Sequence, residues 1–280
     1  MGNEARFQHA FTVDVEDSFH SEDPDPAGWD RHPQRLEGST RTVLELCASA
    51  GVRGTFFVLG WVASRMPHLV REIAAGGHEV ASHGSNHQFV YRQTAAQFRE
   101  DVRTARERLE DLLGTPVRGY RAPYFSIVGS TPWAHEVLAE TGHTFSSSVF
   151  PGSNPRYGIP HHPQEATLVT TPSGSIWEFP IRTFAARVGC GGLYFRALPY
   201  AFFASWLGQL ERSGQAAVFY LHPWETDPGI PRAEGSLGLR LRHGIGLRHT
   251  SQRLGRLLSQ FSFAPLGPRV PGPEAAWQEA

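Results

Sequence analysis

Two cysteines in 280 residues, Cys47 and Cys190, are too few for a disulfide framework. No apolar run approaches the roughly 20 residues that a membrane-spanning helix needs. The start, Met1 to His9, is polar and lacks the apolar stretch of a secretory leader. The formal net charge is −1, so composition gives no reason to expect nucleic acid or an anionic membrane as partner. Together these absences lead us to expect a soluble protein of a reducing, cytoplasmic compartment. The 26 basic residues are all arginine, which points to a GC-rich coding sequence more than to a function. We find no internal repeats. Hydrophobic residues make up 40 % and charged residues 19 %, ordinary for a globular chain. At this length an open α/β sheet or a barrel can form as one domain.

What the chain does have is histidine in a suggestive place. His83 and His87 sit four apart just after a short apolar run, Glu79 to Ser82. Imidazole is the commonest protein ligand for a borderline divalent metal, and a spacing of four would put both rings on one side of a helical turn. Two ligands do not make a site, and a polar loop would also hold two histidines. Three other segments add weight: Asp14-Val15-Glu16-Asp17, Arg121-Ala-Pro-Tyr124 and His222-Pro-Trp-Glu225. Three carboxylates in four residues at a strand end would repel and protonate if buried unpaired; a metal or an arginine would settle them.

The pattern along the chain places these segments. Phe11 to Val15 reads as a buried strand, followed by a loop of about twenty residues that holds Trp29. A helix is expected over Arg41 to Ala50, capped by Ser39 or Thr40 and stopped by Gly51. Thr55 to Leu59 is a continuously apolar strand, and Pro67 to Ala75 a short helix. Phe98, Val102, Ala105, Leu109 and Leu112 mark a helix from Thr94 to Leu113, with Thr94 and Gln97 as capping box. Strands are expected at Val117 to Arg121, Thr144 to Pro151, Ile176 to Ile181 and Ala216 to Leu221. Helices are expected at Thr131 to Glu140, Phe202 to Ser213 and His249 to Phe261, with a frayed end from Pro268. Strands alternating with helices imply a parallel sheet or barrel, whose site gathers at the carboxyl ends of the strands. Asp14, His83, Arg121 and His222 all fall at such ends.

In this order the motifs resemble the NodB-homology polysaccharide deacetylases, carbohydrate esterase family four, over roughly residues 8 to 228. Thr12 to Asp17, His83-x-x-x-His87, Arg121 to Tyr124, Ser146-Ser147-Ser148 with Phe150-Pro151, and Leu221-His222-Pro223 carry the resemblance. More narrowly, Asp-Val-Glu-Asp, Phe195 to Tyr200, His222 to Glu225 and the tail from Leu241 to Phe263 resemble the deacetylases of bacterial exosortase and exopolysaccharide systems. The resemblance implies a distorted (β/α) barrel of about seven parallel strands. It implies a catalytic domain over 1–230 and a small C-terminal extension over 231–280.

It also implies a metal-dependent hydrolase that removes N-acetyl groups from an N-acetylhexosamine polysaccharide and releases acetate. The ion, expected to be zinc on ligand softness, would acidify a water and polarise the acetamide carbonyl. His83 and His87 would be two of its ligands. Strand alternation puts Asp14 and Glu16 on one side, which favours Asp14 as base and Glu16 as the third ligand. If the strand ends or bulges after Val15, Asp17 takes the place of Glu16. Arg121 would pair with Asp14, His222 would protonate the leaving amine, and a backbone N–H near Tyr124 would help hold the oxyanion. Tyr124, Trp224 and Arg196 are the expected substrate contacts. Ser146 stands where relatives often carry aspartate, which leaves the orienting role of that motif open. Rival readings are a cyclic amidohydrolase on the same fold and an inactive carbohydrate-binding scaffold.

Overall fold

The computed structural model describes residues 8–23, 25–154, 156–231 and 237–270. The strands are β1 (His9–Val15), β2 (Thr55–Val58), β3 (Glu79–Ser82), β4 (Gly119–Tyr120), β5 (Phe145–Ser146), β6 (Thr167–Thr171), β7 (Gly174–Glu178), β8 (Thr183–Phe184), β9 (Val188–Gly189), β10 (Val218–Leu221) and β11 (Phe263–Ala264). The helices are α1 (Ser18–Glu22), α2 (Leu36–Ala50), α3 (Gly60–Arg65), α4 (Pro67–Ala75), α5 (Ala95–Leu113), α6 (Trp133–Glu140), α7 (Gly192–Ala197), α8 (Tyr200–Arg212), α9 (Leu237–Gly244) and α10 (Leu247–Gln260).

The main sheet runs β10-β1-β2-β3-β4-β5-β7-β6, and β11 also pairs with β1. Every pairing in it is parallel except the β6–β7 hairpin. Seven strands of that order are therefore parallel, the number expected. Irregular chain spans from the β5–β7 side to β10: Ile181 donates to the Val149 carbonyl, Cys190 to Arg182, and Tyr220 to Cys190. Gly191 bridges to Tyr220 there at φ 141°, and a Cβ on it would lie 1.9 Å from the Tyr220 carbonyl oxygen. Only glycine fits that approach.

Apolar residues explain the layers. β1 and β2 are buried along their whole length, as a parallel strand covered on both faces must be. Phe11, Val13, Phe56 and Val58 pack with Val43 of α2, Leu69 and Ile73 of α4, Phe203 and Leu207 of α8, and Leu254, Leu257 and Leu258 of α10. α5 buries Phe98, Val102, Ala105 and Leu109, with the Thr94–Gln97 capping box in place and Gly114 left-handed at φ 67°. The segment after Pro228 is thus built into the main body: α10 fills the core and β11 extends the sheet.

Several expectations shift. α2 begins five residues earlier than its caps suggested. Ser39 lies inside the helix and bonds back to the Arg35 and Leu36 carbonyls. The loop after Asp17 contains α1 and a 3₁₀ turn, Pro26–Arg31. The strands expected at 117–121 and 144–151 shrink to two residues each, because the chain turns into site-forming loops at once. Thr167–Thr171, the β8–β9 hairpin, α9 and β11 were not legible from pattern. Residues 1–7 and 271–280, the polar start and most of the expected frayed end, lie outside the described residues. Among the described residues no helix is long and apolar enough to cross a membrane.

Candidate active site

Four strands, β1, β3, β4 and β10, deliver the polar residues of one site. Asp14 sits at the end of β1, with Glu16 two residues on. His83 follows β3, Arg121 follows β4 and His222 follows β10. Asp14, Glu16, His83, His87, Tyr124, His222 and Trp224 line the pocket, with Arg156, Tyr157 and Arg242 towards its rim.

His83, His87 and Glu16 converge. Glu16 Oε2 lies 2.5 Å from His87 Nε2 and 3.5 Å from His83 Nε2. The two rings are 5.3 Å apart, and all three residues are buried. No helical turn makes this pair, contrary to the spacing argument. Residues 83–89 form an irregular loop in which Gly84 (φ 73°) and His87 (φ 50°) are left-handed. Asp101 of α5 accepts from the Ser85 backbone N–H and so anchors this loop. Burial raises the Asp101 pKa to about 6 against those bonds.

The imidazole tautomers follow from the outer contacts. His83 Nδ1 lies 2.8 Å from the Arg121 carbonyl and His87 Nδ1 3.1 Å from the His20 carbonyl. Each Nδ1 must therefore carry the hydrogen and donate it, which leaves both Nε2 lone pairs facing Glu16. Burial alone would raise the Glu16 pKa. Positive charge on His87, His83 and His222 reverses this and holds the carboxyl well below the usual range; with the rings neutral, a bound cation would have the same effect. Ser21 donates to Glu16 Oε1 at 3.0 Å, while buried Oε2 has no hydrogen-bond partner. These three residues form a group that can hold one metal ion. The donor set fits: two imidazole nitrogens and one carboxylate oxygen, each oriented from behind, with one buried oxygen otherwise unsatisfied.

Asp17 is placed elsewhere. It caps α1: its Oδ1 accepts from the Ser18 N–H at 2.8 Å and Oδ2 from the Arg35 N–H at 3.0 Å. Asp14 and Glu16 both line the pocket, although β1 ends at Val15 and the Glu16 N–H turns back onto the Asp14 carbonyl; the strand end that was expected to favour Asp17 leaves Glu16 in place.

Arg121 is fully buried with its donors committed. Nη1 donates to Asp14 Oδ1 at 2.6 Å and Thr12 Oγ1 at 2.9 Å. Nε and Nη2 donate to the Ser147 carbonyl and hydroxyl at 3.0 and 2.8 Å. Its guanidinium lies 4.2 Å over the Phe57 ring. The serines after β5 thus do orient this arginine, through Ser147 with Ser148 on the Ala122 N–H, while Ser146 bonds Ser148. A carboxylate supports that turn from β7: Glu178 accepts from the Ser148 and Val149 N–H groups and pairs with His135 at 2.9 Å. Glu178 was missed because nothing in an isolated strand marks its end residue as buried beside another strand's loop.

His222 faces Asp14 and Glu16 from the opposite wall, with Nε2 3.9 Å from Asp14 Oδ2 and 3.6 Å from Glu16 Oε1. Its Nδ1 lies 3.2 Å from Glu225 Oε2, and Glu225 Oε1 accepts from Arg196 at 2.7 Å. Burial lowers the His222 pKa, but the Glu225 bond and the charges of Glu16, Glu225 and Asp14 outweigh it and raise it to about 9. Burial likewise raises Glu225, and Arg196 and His222 pull it down to about 2. Arg196 lies in the pocket wall, with its guanidinium turned onto Glu225 and the His243 and Ile245 carbonyls. Trp224 stacks between His222 and His243, with ring centroids at 5.7 and 4.8 Å. Tyr124 is left-handed at φ 57°, lies 4.6 Å from the His87 ring and stacks on Phe89 at 4.0 Å. Trp29 and Trp61 pack around His20 behind the site.

Residues 27–146 match the profile of the polysaccharide deacetylases. Over that segment the chain is similar to the polysaccharide deacetylases. The matched segment holds His83, His87, Arg121 and Tyr124, whereas Asp14 and Glu16 precede it. Residues 147–269, with Arg196, His222 and Glu225, match a domain of unknown function, DUF3473. A chitooligosaccharide deacetylase of Bradyrhizobium sp. is 31 % identical over 118 residues, covering 42 % of this chain and 51 % of that protein. A Bacillus cereus peptidoglycan-N-acetylglucosamine deacetylase is 30 % identical over 98 residues, 35 % of this chain and 36 % of its own. The chain therefore spans about half or less of the length of these curated relatives. A Mycobacterium smegmatis crystal structure, described as a candidate polysaccharide deacetylase, superposes with a TM-score of 0.65 at 21 % identity, covering 99 % of this chain and 91 % of that one. At that identity the likeness shows the shared α/β fold.

Proposed function

We propose that this protein is a metal-dependent hydrolase that removes N-acetyl groups from an N-acetylhexosamine-containing saccharide and releases acetate. One observation carries the reading: a metal-competent carboxylate–imidazole trio, an Asp–Arg pair and a carboxylate-backed histidine face one another across one pocket. The relatives named for chitooligosaccharide and peptidoglycan deacetylation support the substrate class. The subtype proposed is that of exopolysaccharide systems, with residues 1–230 as catalytic domain and 231–280 as an extension that shares its core through α10 and β11.

Glu16, His83 and His87 would hold the ion, zinc by our reading, which supplies Lewis-acid activation of water and the amide carbonyl when bound. Asp14 takes the proton of the attacking water on Oδ2, while Arg121 fixes Oδ1 and supplies the opposing charge. The new C–O bond forms as the carbonyl opens to a tetrahedral oxyanion. His222 then gives its Nε2 proton to the amine nitrogen, the C–N bond breaks, and acetate and a free amine leave. Glu225 keeps the imidazolium available and correctly turned. Tyr124 would offer a face to the sugar, whereas Trp224, expected to do the same, has both faces taken by His222 and His243. The test is to strip the protein with a chelator and assay acetate release from an N-acetylglucosamine oligosaccharide. Activity should vanish and return with added divalent metal. Undiminished release from metal-free protein would reject the reading.

A further inference from the structure

The net charge of −1 conceals a strong segregation. Between residues 237 and 270 the sequence has six arginines and no carboxylate. At the start of this segment α9 leaves apolar side chains in water: Leu237 is 70 %, Leu241 64 % and Ile245 44 % exposed. They recur every four residues, and the Ile245 N–H donates to the Leu241 carbonyl at 3.0 Å, so the helical path continues through Ile245. At about 100° per residue they form one stripe, with Arg240 about 60° before Leu237 and Arg242 about 60° beyond Ile245. Arg240, Arg242 and Arg248 are exposed.

A stripe of leucine and isoleucine edged by arginine on both sides is what an interfacial helix offers: apolar chains for the acyl boundary, guanidinium groups for anionic headgroups. A nucleic acid would use the charge and leave the stripe wet. The same helix is held rigidly by its other side. Arg196 donates to the His243 and Ile245 carbonyls, His243 Nε2 lies 2.9 Å from Glu22, and the His243 ring stacks on Trp224. Glu22 is an acidic group that faces α9, and His243 occupies it. The contacts that fix α9 are thus those of the pocket wall.

We propose that α9 docks the protein on an anionic lipid surface, with the pocket rim beside that surface. The probe is co-sedimentation of the full chain with vesicles of phosphatidylcholine alone and with about 30 % phosphatidylglycerol. The protein should bind the anionic vesicles and release as salt rises. The Leu237→Ser/Leu241→Ser and Arg240→Glu/Arg248→Glu pairs alter exposed side chains outside the catalytic residues, so their melting temperatures should match the parent's. The arginine pair should weaken binding on the order of 30-fold or more, from two lost surface charges. The leucine pair should also release the protein. Absence of binding to anionic vesicles, or parental binding by both variants, would overturn the proposal. So would vesicle indifference combined with a parent that self-associates in size-exclusion chromatography and a leucine variant that does not.

Discussion

Replacing Asp17 by alanine separates the two carboxylates that the sequence left in competition. In the structure Asp17 does a backbone task, accepting from the Ser18 and Arg35 N–H groups. Losing the cap costs about 0.5–2 kcal/mol. Leaving the Arg35 N–H without an acceptor in a part-buried place adds about 1–3 kcal/mol. Removing a carboxylate whose pKa burial already raises returns some of this. A net loss of about 2–4 kcal/mol follows, which at about 2–4 °C per kcal/mol for a chain of this size lowers Tm by roughly 5–15 °C. Metal content at saturating metal should stay near that of the parent. Glu16→Gln should show the reverse: little change in the metal-free melt and a large drop in retained metal. The assays are a thermal melt and elemental analysis of each variant. An Asp17→Ala protein that melts normally but comes out empty, beside a Glu16→Gln protein that keeps its ion, would refute the reasoning.

Other expectations rest on separate contacts. His222→Ala should lose on the order of 10²–10⁴ in kcat on an acetamide. It should lose much less on an activated acetyl ester, whose leaving group needs no proton, and equal losses would mean that His222 only packs or orients. Burial lowers the pKa of His143 to about 3. Its neutral form is thus favoured in the fold, while the unfolded chain protonates it near pH 6.5. Its stabilising contribution is complete above that pH and declines towards pH 3, by up to about 1.4 kcal/mol per pH unit. Denaturant melts from pH 7 to pH 4 should show that slope, reduced in His143→Gln; identical slopes would exclude this histidine as a cause.

The parts of the site that could be read in advance were those written in period and type. Continuous apolar runs marked the parallel strands, and their ends marked Asp14, His83, Arg121 and His222. Alternation does not explain why Glu16 faces the histidines: β1 ends at Val15, the case in which Asp17 was expected, and a turn with the Glu16 N–H on the Asp14 carbonyl brings Glu16 to them instead. His83 and His87 do come together, but on no helical turn. A loop held by Asp101 and two left-handed residues brings the rings together, and a four-residue spacing cannot reveal that. Glu178 supports the serine turn from another strand, so only the tertiary fold exposes it, while Ser21 and Glu225 lie five and three residues from Glu16 and His222 with no pattern to mark their contacts. Arg196 looked like a substrate contact because it is a cation in a motif, yet Glu225 and two carbonyls occupy its guanidinium. α9 was hidden in a stretch whose glycines and arginines read as irregular chain.

We propose Asp14 as a base beside a metal site to which it is not a ligand. Elemental analysis and acetate release should therefore be measured on one preparation of Asp14→Asn. Full metal occupancy with turnover lost is the expected result. An empty site, or a filled one that still releases acetate at the parental rate, would contradict it.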